Sequence, residues 1–431
     1  MHINIPVTED LQDSLGVRFV LYSVYLEGFL IFKARYKDLH LWNEQLHHLF
    51  GNQLPNFPPK YFLAMTKAMA EERRLQLERY LQKLVSDPVV SGSEKFMEFF
   101  KKSQLDTFKM SSVKIILNVY LPDGQHVKVD AYTSDTAERV LEAALYKLRL
   151  SRELKEYFSL FITRRERDTN ITVVKQITGF ELPFITIWNM PDDTFQIDIR
   201  KWYLNPFTDS MLLGCTAAIS LLYMQAVQEF QMNWSRPTEE QRKKLQHLIE
   251  TGNQLKFLEL MQKVEHYGYL QLHSCTSDYP EPGTSVTVSV GNFELCCCFQ
   301  PPKGQAELIQ LHVADMTCWH VQMLHSAKGD SARQSYHLEF TLEYIQGETQ
   351  KCVTIRTQQA FLLSSCLKKM VCEQPVTSIK EALEIQAEKT RTISNKSSKK
   401  SEKVRAHMKK GHFLSTKEEN VIFDGFTDLN L

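Results

Sequence analysis

The reading of this chain turns on one stretch in three pieces: Lys33-Ala34-Arg35-Tyr36, then Pro55-Asn56-Phe57-Pro58-Pro59-Lys60, then Arg73 with Leu77 and Tyr80. A strand-end Arg-Tyr pair is commonly a solvated edge, and a proline-rich run is commonly only a turn. Order and spacing change that. Phe29 to Arg35 reads as a strand that delivers an arginine and an aromatic ring at its end. The proline segment is stiff and presents Lys60, and a helix beginning near Thr66 brings Arg73. Three cations around one aromatic face suit a small polyanionic ring. A guanidinium fork binds phosphate through paired hydrogen bonds, and lysine acts as a point charge.

In this order the pieces resemble the phosphoinositide pocket of PX (phox-homology) domains. That pattern is an Arg-Tyr pair ending the third strand, a PxxPxK loop and an Arg-x3-Leu-x2-Tyr helix, matched here by Arg35-Tyr36, Pro55 to Lys60 and Arg73-Leu77-Tyr80. The resemblance implies that Arg35 grips the 3-phosphate of phosphatidylinositol 3-phosphate and that the Tyr36 ring lies against the inositol. It further implies that Lys60 meets the 1-phosphate and Arg73 the 4- and 5-hydroxyls. Ala34 departs from the pattern, since many members carry a second basic residue there, and this bears on the strength of binding. Tyr61, Phe62 and Leu63 follow Lys60 directly. They read either as a return to the core or as an apolar loop tip that enters the bilayer interface beside the pocket.

Outward from this stretch, a length of 431 residues calls for two to four domains. Lys+Arg and Asp+Glu balance at 51 each, which excludes a global charge that would drive the chain onto nucleic acid. Nine cysteines form no C-x-x-C pair. Cys296, Cys297 and Cys298 are adjacent in a predicted strand, where side chains alternate faces and cannot share one ligand, so buried, reduced thiols and a cytosolic setting are expected. Met1 to Pro6 has neither a basic nor an apolar leader region, and no signal peptide is expected. Met211 to Val227 is uncharged, but its apolarity is patchy, which favours a buried helix over a membrane span.

Before the central stretch, Val17 to Leu26 pairs with Phe29 to Arg35 about Glu27-Gly28. After it, Asp38 is expected to cap a helix with Leu39, Trp42, Leu46 and Leu49 as its apolar stripe. Helices over 66–85 and 93–104 complete this domain near residue 110. A second unit opens with the alternation Val113, Ile115, Leu117, Val119, Leu121, a turn at Pro122-Asp123-Gly124, and a return through Val127, Val129 and Ala131. A capping box of Asp135 with Glu138 starts its helix, and strands are predicted over 157–163, 173–182 and 196–200. Strand-turn-strand-helix of this size resembles ubiquitin. Residues 209–269 read as helices only. Strands resume at Val286 and recur over 308–313, 316–323, 336–344 and 352–356, closed by a helix over 358–372, which is the outline of a PTB/PH-like module. From Ala387 to about Thr416 the chain is polar and basic and is expected to be disordered. Its last residues turn apolar and acidic, as in a docking motif with Phe423, Phe426, Leu429 and Leu431 as anchors.

Ubiquitin-like, helical and PTB-like lobes in that order make a FERM-type unit. With a PX domain before it, the chain resembles the PX-FERM sorting nexins. The runs His266-Tyr267-Gly268-Tyr269-Leu270, Glu156 to Phe161 and Cys318-Trp319 carry that resemblance. The expected fold is therefore multidomain α+β. The PX domain spans 1–110, the ubiquitin-like F1 lobe 111–203, the helical F2 lobe 204–271, the PTB/PH-like F3 lobe 272–376, and a basic tail with its docking motif 377–431. The resemblance implies an endosomal cargo adaptor at the cytoplasmic face of early endosomes. F3 would take NPxY/NxxY tails of receptors such as integrins and lipoprotein receptors as an added strand, and the extreme C-terminus would recruit the Retriever recycling complex. On that reading Trp319 and Val321 on the edge strand wall the peptide, with Phe361, Leu362 and Ser365 on the facing helix. His320 stands where the family carries arginine and is expected to shift cargo preference.

No GxSxG, P-loop, HExxH or paired-carboxylate motif is present, and His47-His48 reads as a solvated helix face. The expectation is a monomeric binding protein without catalytic residues, cofactor, metal or nucleic-acid partner. The competing expectation is a FERM-type scaffold that binds Ras-like GTPases or cytoskeletal partners through the lobe beginning at Val113, with lipid binding serving only to localise it.

Overall fold

The computed structural model describes residues 1–61, 66–165, 171–273, 275–325, 336–374 and 421–425. These form two compact units: residues 1–273 with Phe361–Ser365, and residues 274–360 with the rest of the chain. The expected basic tail lies outside the described residues, apart from 421–425. Among the described residues no helix is long and apolar enough to cross a membrane.

The first unit begins with an antiparallel meander of β1 (Ile3–Gln12), β2 (Arg18–Leu26) and β3 (Phe29–Arg35). Helices α1 (Tyr36–Phe50), α2 (Lys67–Ser86), α3 (Pro88–Ser91) and α4 (Glu94–Thr107) follow. The core between them is aromatic. Trp42 stacks on Phe99 at 4.2 Å and Phe96 on Phe100 at 4.2 Å, while Leu39 and Leu46 complete the buried stripe of α1. Leu49 does not join that stripe and is exposed. Asp38 is not the helix cap but its third residue, reaching back to accept the Arg35 backbone N–H at 3.2 Å.

Next come β4 (Lys114–Tyr120), β5 (His126–Tyr132), α5 (Ala137–Lys147), β6 (Phe158–Arg165), β7 (Ile171–Ile177), α6 (Pro183–Trp188) and β8 (Phe195–Lys201). The sheet order is β5-β4-β8-β6-β7, with β4 and β8 parallel, and this is the ubiquitin-like lobe. The cap of α5 is Thr136, whose hydroxyl accepts from Arg139 N. Asp135 instead accepts the Tyr132 N–H at 2.8 Å and closes the turn before the helix. Helices α7 (Thr216–Gln231), α8 (Glu239–Glu250) and α9 (Gln254–Met261) share one buried core with this sheet, from Leu117 and Val119 to Phe257 and Tyr267. In the run His266 to Leu270, Tyr267 donates to Asp209 at 2.6 Å, as does Tyr203 at 2.5 Å.

The meander domain is fastened to the ubiquitin-like lobe within this unit. Phe180 packs its ring against Phe100 at 4.9 Å and Phe96 at 5.4 Å. The Gln104 amide donates to Phe180 O and accepts from Leu182 N, each at 3.0 Å. The buried pair Lys175–Glu181, at 2.7 Å, places the ammonium 5.1 Å from the Phe29 ring centroid.

The unit ends its own sequence run at β9 (Leu270–Gln271). The second unit contains β10 (Cys275–Ser277), β11 (Thr284–Gly291), β12 (Glu294–Gln300), β13 (Glu307–His312), β14 (Met316–His325), β15 (Tyr336–Gln346) and β16 (Thr349–Arg356). Helix α10 (Ala360–Glu373) and a last strand, β17 (Val421–Gly425), follow. Its strands run in the order β13-β12-β11-β10-β16-β15-β14-β17, every pair antiparallel. Cys296 and Cys297 are buried in β12, and burial pushes the Cys297 thiol far above its ordinary value. All nine cysteines are free thiols.

Candidate functional site

The candidate lipid pocket is built where β3 meets α1. The strand ends at Arg35 because Tyr36 turns into the helix, and the register sets Leu21 of β2 opposite Arg35. Phe19, two residues along β2, is then its diagonal neighbour on the same face. The Arg35 guanidinium carbon lies 3.4 Å from the Phe19 ring centroid, a cation–π contact that holds the fork at the rim. Sequence reasoning missed Phe19; the hairpin register was the signal that could have found it.

The proline segment returns over Tyr36, whose hydroxyl donates to Pro58 O at 2.8 Å. Phe57 beneath it packs against Tyr36 at 5.6 Å and edge-on to Tyr80 at 4.9 Å. Lys60, at the end of the segment, is exposed.

Arg73 comes from α2, which Thr66 caps by accepting the Met69 N–H at 3.2 Å. What fixes this helix is polar. The β1–β2 register breaks between Asn4 and Val7, and α2 satisfies the backbone of Ile5 there. Ile5 N–H donates to Glu78 at 2.7 Å, and Ile5 O accepts from Arg74 at 2.8 Å. Burial raises the Glu78 carboxyl above its ordinary range. On the buried face, Leu77 is fully covered and Tyr80 donates to Asn43 at 2.7 Å. Leu77 and Tyr80 are thus structural, and Arg73 is the residue of this helix that faces the pocket rings.

Its guanidinium carbon sits 4.3 Å from the Tyr36 ring centroid and 4.4 Å from that of Tyr61. Burial lifts the Tyr36 phenol above its ordinary value, and the Arg73 charge opposes the rise. Tyr36, Tyr61, Pro58, Pro59 and Arg73 therefore meet in one place, with Arg35 held by Phe19 and Lys60 in solvent. Tyr61 serves here as a pocket wall, while Phe62 and Leu63 lie outside the described residues. Ala34 is buried opposite Tyr22 of β2, so its position belongs to the sheet's covered face.

The second candidate site is the edge of β14. Trp319, Val321 and Met323 alternate inward and are buried, at 3%, 0% and 4% exposure, while His320 and Gln322 are half-buried between them. Along one side β14 pairs with β15, Trp319 opposite Leu342 and Val321 opposite Phe340. Along the other it pairs with β17, Trp319 opposite Gly425, Val321 opposite Phe423 and Met323 opposite Val421. The edge expected for a receptor peptide is therefore occupied by the chain's own terminus. Residues 420–423 read Asn-Val-Ile-Phe, an Asn-x-x-aromatic spacing that sequence reasoning passed over by treating the tail only as bait for another protein. Phe426, Leu429 and Leu431 lie outside the described residues.

Phe361, Leu362 and Ser365 are all buried and belong to the first unit. The Ser365 hydroxyl donates to Glu27 at 2.7 Å. Gly28 has φ +84°, and a Cβ there would meet the Phe361 ring at 3.2 Å, so glycine is required on both counts.

Three family models match the chain. They are the PX domain over residues 30–103, the FERM F1 lobe of sorting nexins 17, 27 and 31 over 115–204, and the sorting nexin 17 FERM C-terminal domain over 268–375. Sorting nexin-31 of Xenopus tropicalis is 60% identical over 431 residues and spans 100% of both chains. Human sorting nexin-31 is 46% identical, covering 90% of this chain and 89% of that protein. Sorting nexin-17 of Danio rerio is 35% identical, covering 91% and 85% respectively.

Proposed function

The chain belongs to the sorting nexins that join a PX domain to a FERM unit, and from that premise we propose that this endosomal sorting adaptor holds two ligands at once. One is phosphatidylinositol 3-phosphate, taken by Arg35, Tyr36, Lys60 and Arg73, with Phe62 and Leu63 entering the bilayer beside them. The other is an NPxY or NxxY segment from the cytoplasmic tail of a transmembrane receptor, of the integrin or lipoprotein-receptor kind, added as a strand to β14. The protein then works at the cytoplasmic face of early endosomes and hands its cargo to a Retriever-like recycling complex. That complex docks on Phe423, Phe426, Leu429 and Leu431. No step needs a catalytic residue.

The observation that carries the cargo half is the pairing of β14 with β17 over Val421–Gly425. An extended segment seated in register supports this edge as one that accepts an added strand, in which main-chain bonds give affinity and side chains give selectivity. It also makes the terminus and the receptor peptide competitors. While 421–425 lies on β14, Phe423 is committed to that strand. A receptor peptide that displaces it frees the terminus for the recycling complex.

Two measurements test this. Sedimentation with phosphatidylinositol 3-phosphate vesicles, with and without an NxxY peptide, should give binding of both ligands together. A chain ending at Glu419 should bind the peptide about tenfold or more tightly than the full chain, because a tethered competitor acts at an effective concentration on the order of millimolar. Equal peptide affinity of the two chains would mean that the terminus does not hold the edge in solution.

A further inference from the structure

Two polar atoms beside the lipid pocket are buried without hydrogen-bond partners among the described residues, and their side chains are neighbours. Tyr22 lies on β2 opposite Ala34, has no exposed surface, and its hydroxyl has no partner. Arg73 is 6% exposed, and its Nε also has none. Of its other nitrogens, Nη2 reaches Pro59 O only at 3.5 Å, the outer limit of a hydrogen bond. Burial pushes the Tyr22 phenol above its ordinary value, while the charge of the Arg73 guanidinium and its reach toward the phenol oxygen pull the other way, so the two groups lie side by side although no nitrogen meets the oxygen at full hydrogen-bond geometry.

Buried polar atoms are nearly always satisfied, and exceptions call for an explanation. Here the two orphans are complementary: Nε–H is a donor, and the phenol oxygen can accept. The guanidinium is held between two rings rather than by hydrogen bonds, so it can turn without breaking any strong bond.

We propose that Tyr22 is the positioning residue of the headgroup site: once a phosphorylated inositol ring is bound, its hydroxyl accepts Nε–H of Arg73 and aims both amino groups of the guanidinium at the ring's hydroxyl oxygens. The inference rests on the lipid reading above and adds a residue to it. The shared chemistry is a polyol ring carrying a phosphate, whether presented by a membrane or free in solution. Ala34 fits this arrangement, since the small residue opposite Tyr22 carries no charge that could replace Arg73.

Tyr22→Phe tests it, because the change removes one buried oxygen and keeps the ring. In the full chain, titration with soluble dibutanoyl phosphatidylinositol 3-phosphate should show affinity about three- to tenfold weaker, the effect of one lost hydrogen bond. Binding to phosphatidylcholine vesicles doped with the long-chain lipid should weaken in parallel. The unliganded protein should melt no lower than the parent, since it has shed an unmet hydroxyl. A merely structural tyrosine would leave affinity unchanged, and that result overturns the proposal. So does a loss confined to vesicles, which would place the effect at the membrane rather than the headgroup. In an Arg73→Lys background there is no Nε–H of a guanidinium to orient, so adding Tyr22→Phe should cost nothing more; the full loss reappearing there also overturns it. If the parent chain binds neither probe, the lipid reading itself falls.

Discussion

Trp319→Ala should destabilise the second unit by about 3–5 kcal/mol, the cost of truncating a buried tryptophan. The side chain is 3% exposed, on the inward face of β14, between strands that pair on both sides. A loss of that size is a large part of what holds a typical domain together. Thermal melting should therefore show the second unit unfolding well below its parent temperature, and peptide binding should fall as a consequence. The opposite pattern, an unchanged melt with lost NxxY binding, would make Trp319 the wall of a peptide pocket and only incidentally covered here. Lipid binding reports independently, because the pocket lies in the first unit.

Arg35→Ala should weaken binding to phosphatidylinositol 3-phosphate vesicles by about 1.5–3 kcal/mol, or roughly ten- to 150-fold, the contribution of a charge-assisted contact to a phosphate. The fold should tolerate the change. Arg35 is only half-buried, its backbone N–H keeps Asp38 as partner, and what its side chain touches is the Phe19 ring. Phe19→Ala should reproduce part of the loss by releasing the fork from its ring. A folded Arg35→Ala protein that sediments with these vesicles as well as its parent would remove the phosphate-gripping role from this residue.

Much of this was legible in the chain because the signals are local. Alternation with period two placed the hairpin of β2 and β3, the paired strands at Val113 and the later run through β12. The order of lobes followed from listing those elements, and the family comparisons agree with it. Helix starts were read less well. Asp38 and Asp135 have the residue type of a cap, yet the backbone turns into the helix three residues before Asp38, at Arg35, and one residue after Asp135, at Thr136, and which oxygen reaches which N–H depends on that turn.

The candidate pocket residues were likewise proposed from sequence, since a PX-type spacing of arginine, tyrosine, lysine and arginine survives as a string. Their arrangement was not. That Arg73 sits between the rings of Tyr36 and Tyr61, that Phe19 holds Arg35, and that Tyr22 waits beside Arg73 are products of register and burial across three elements. The tail shows the division most plainly. By itself the sequence determined that an apolar, acidic segment follows a basic one, and that it contains Asn-Val-Ile-Phe. Only the tertiary structure decided where that segment goes. A strand's side-chain pattern says that it will pair, but its partner is whichever edge still has unpaired main-chain groups, and β14 supplies that edge only after β15 has covered its other side.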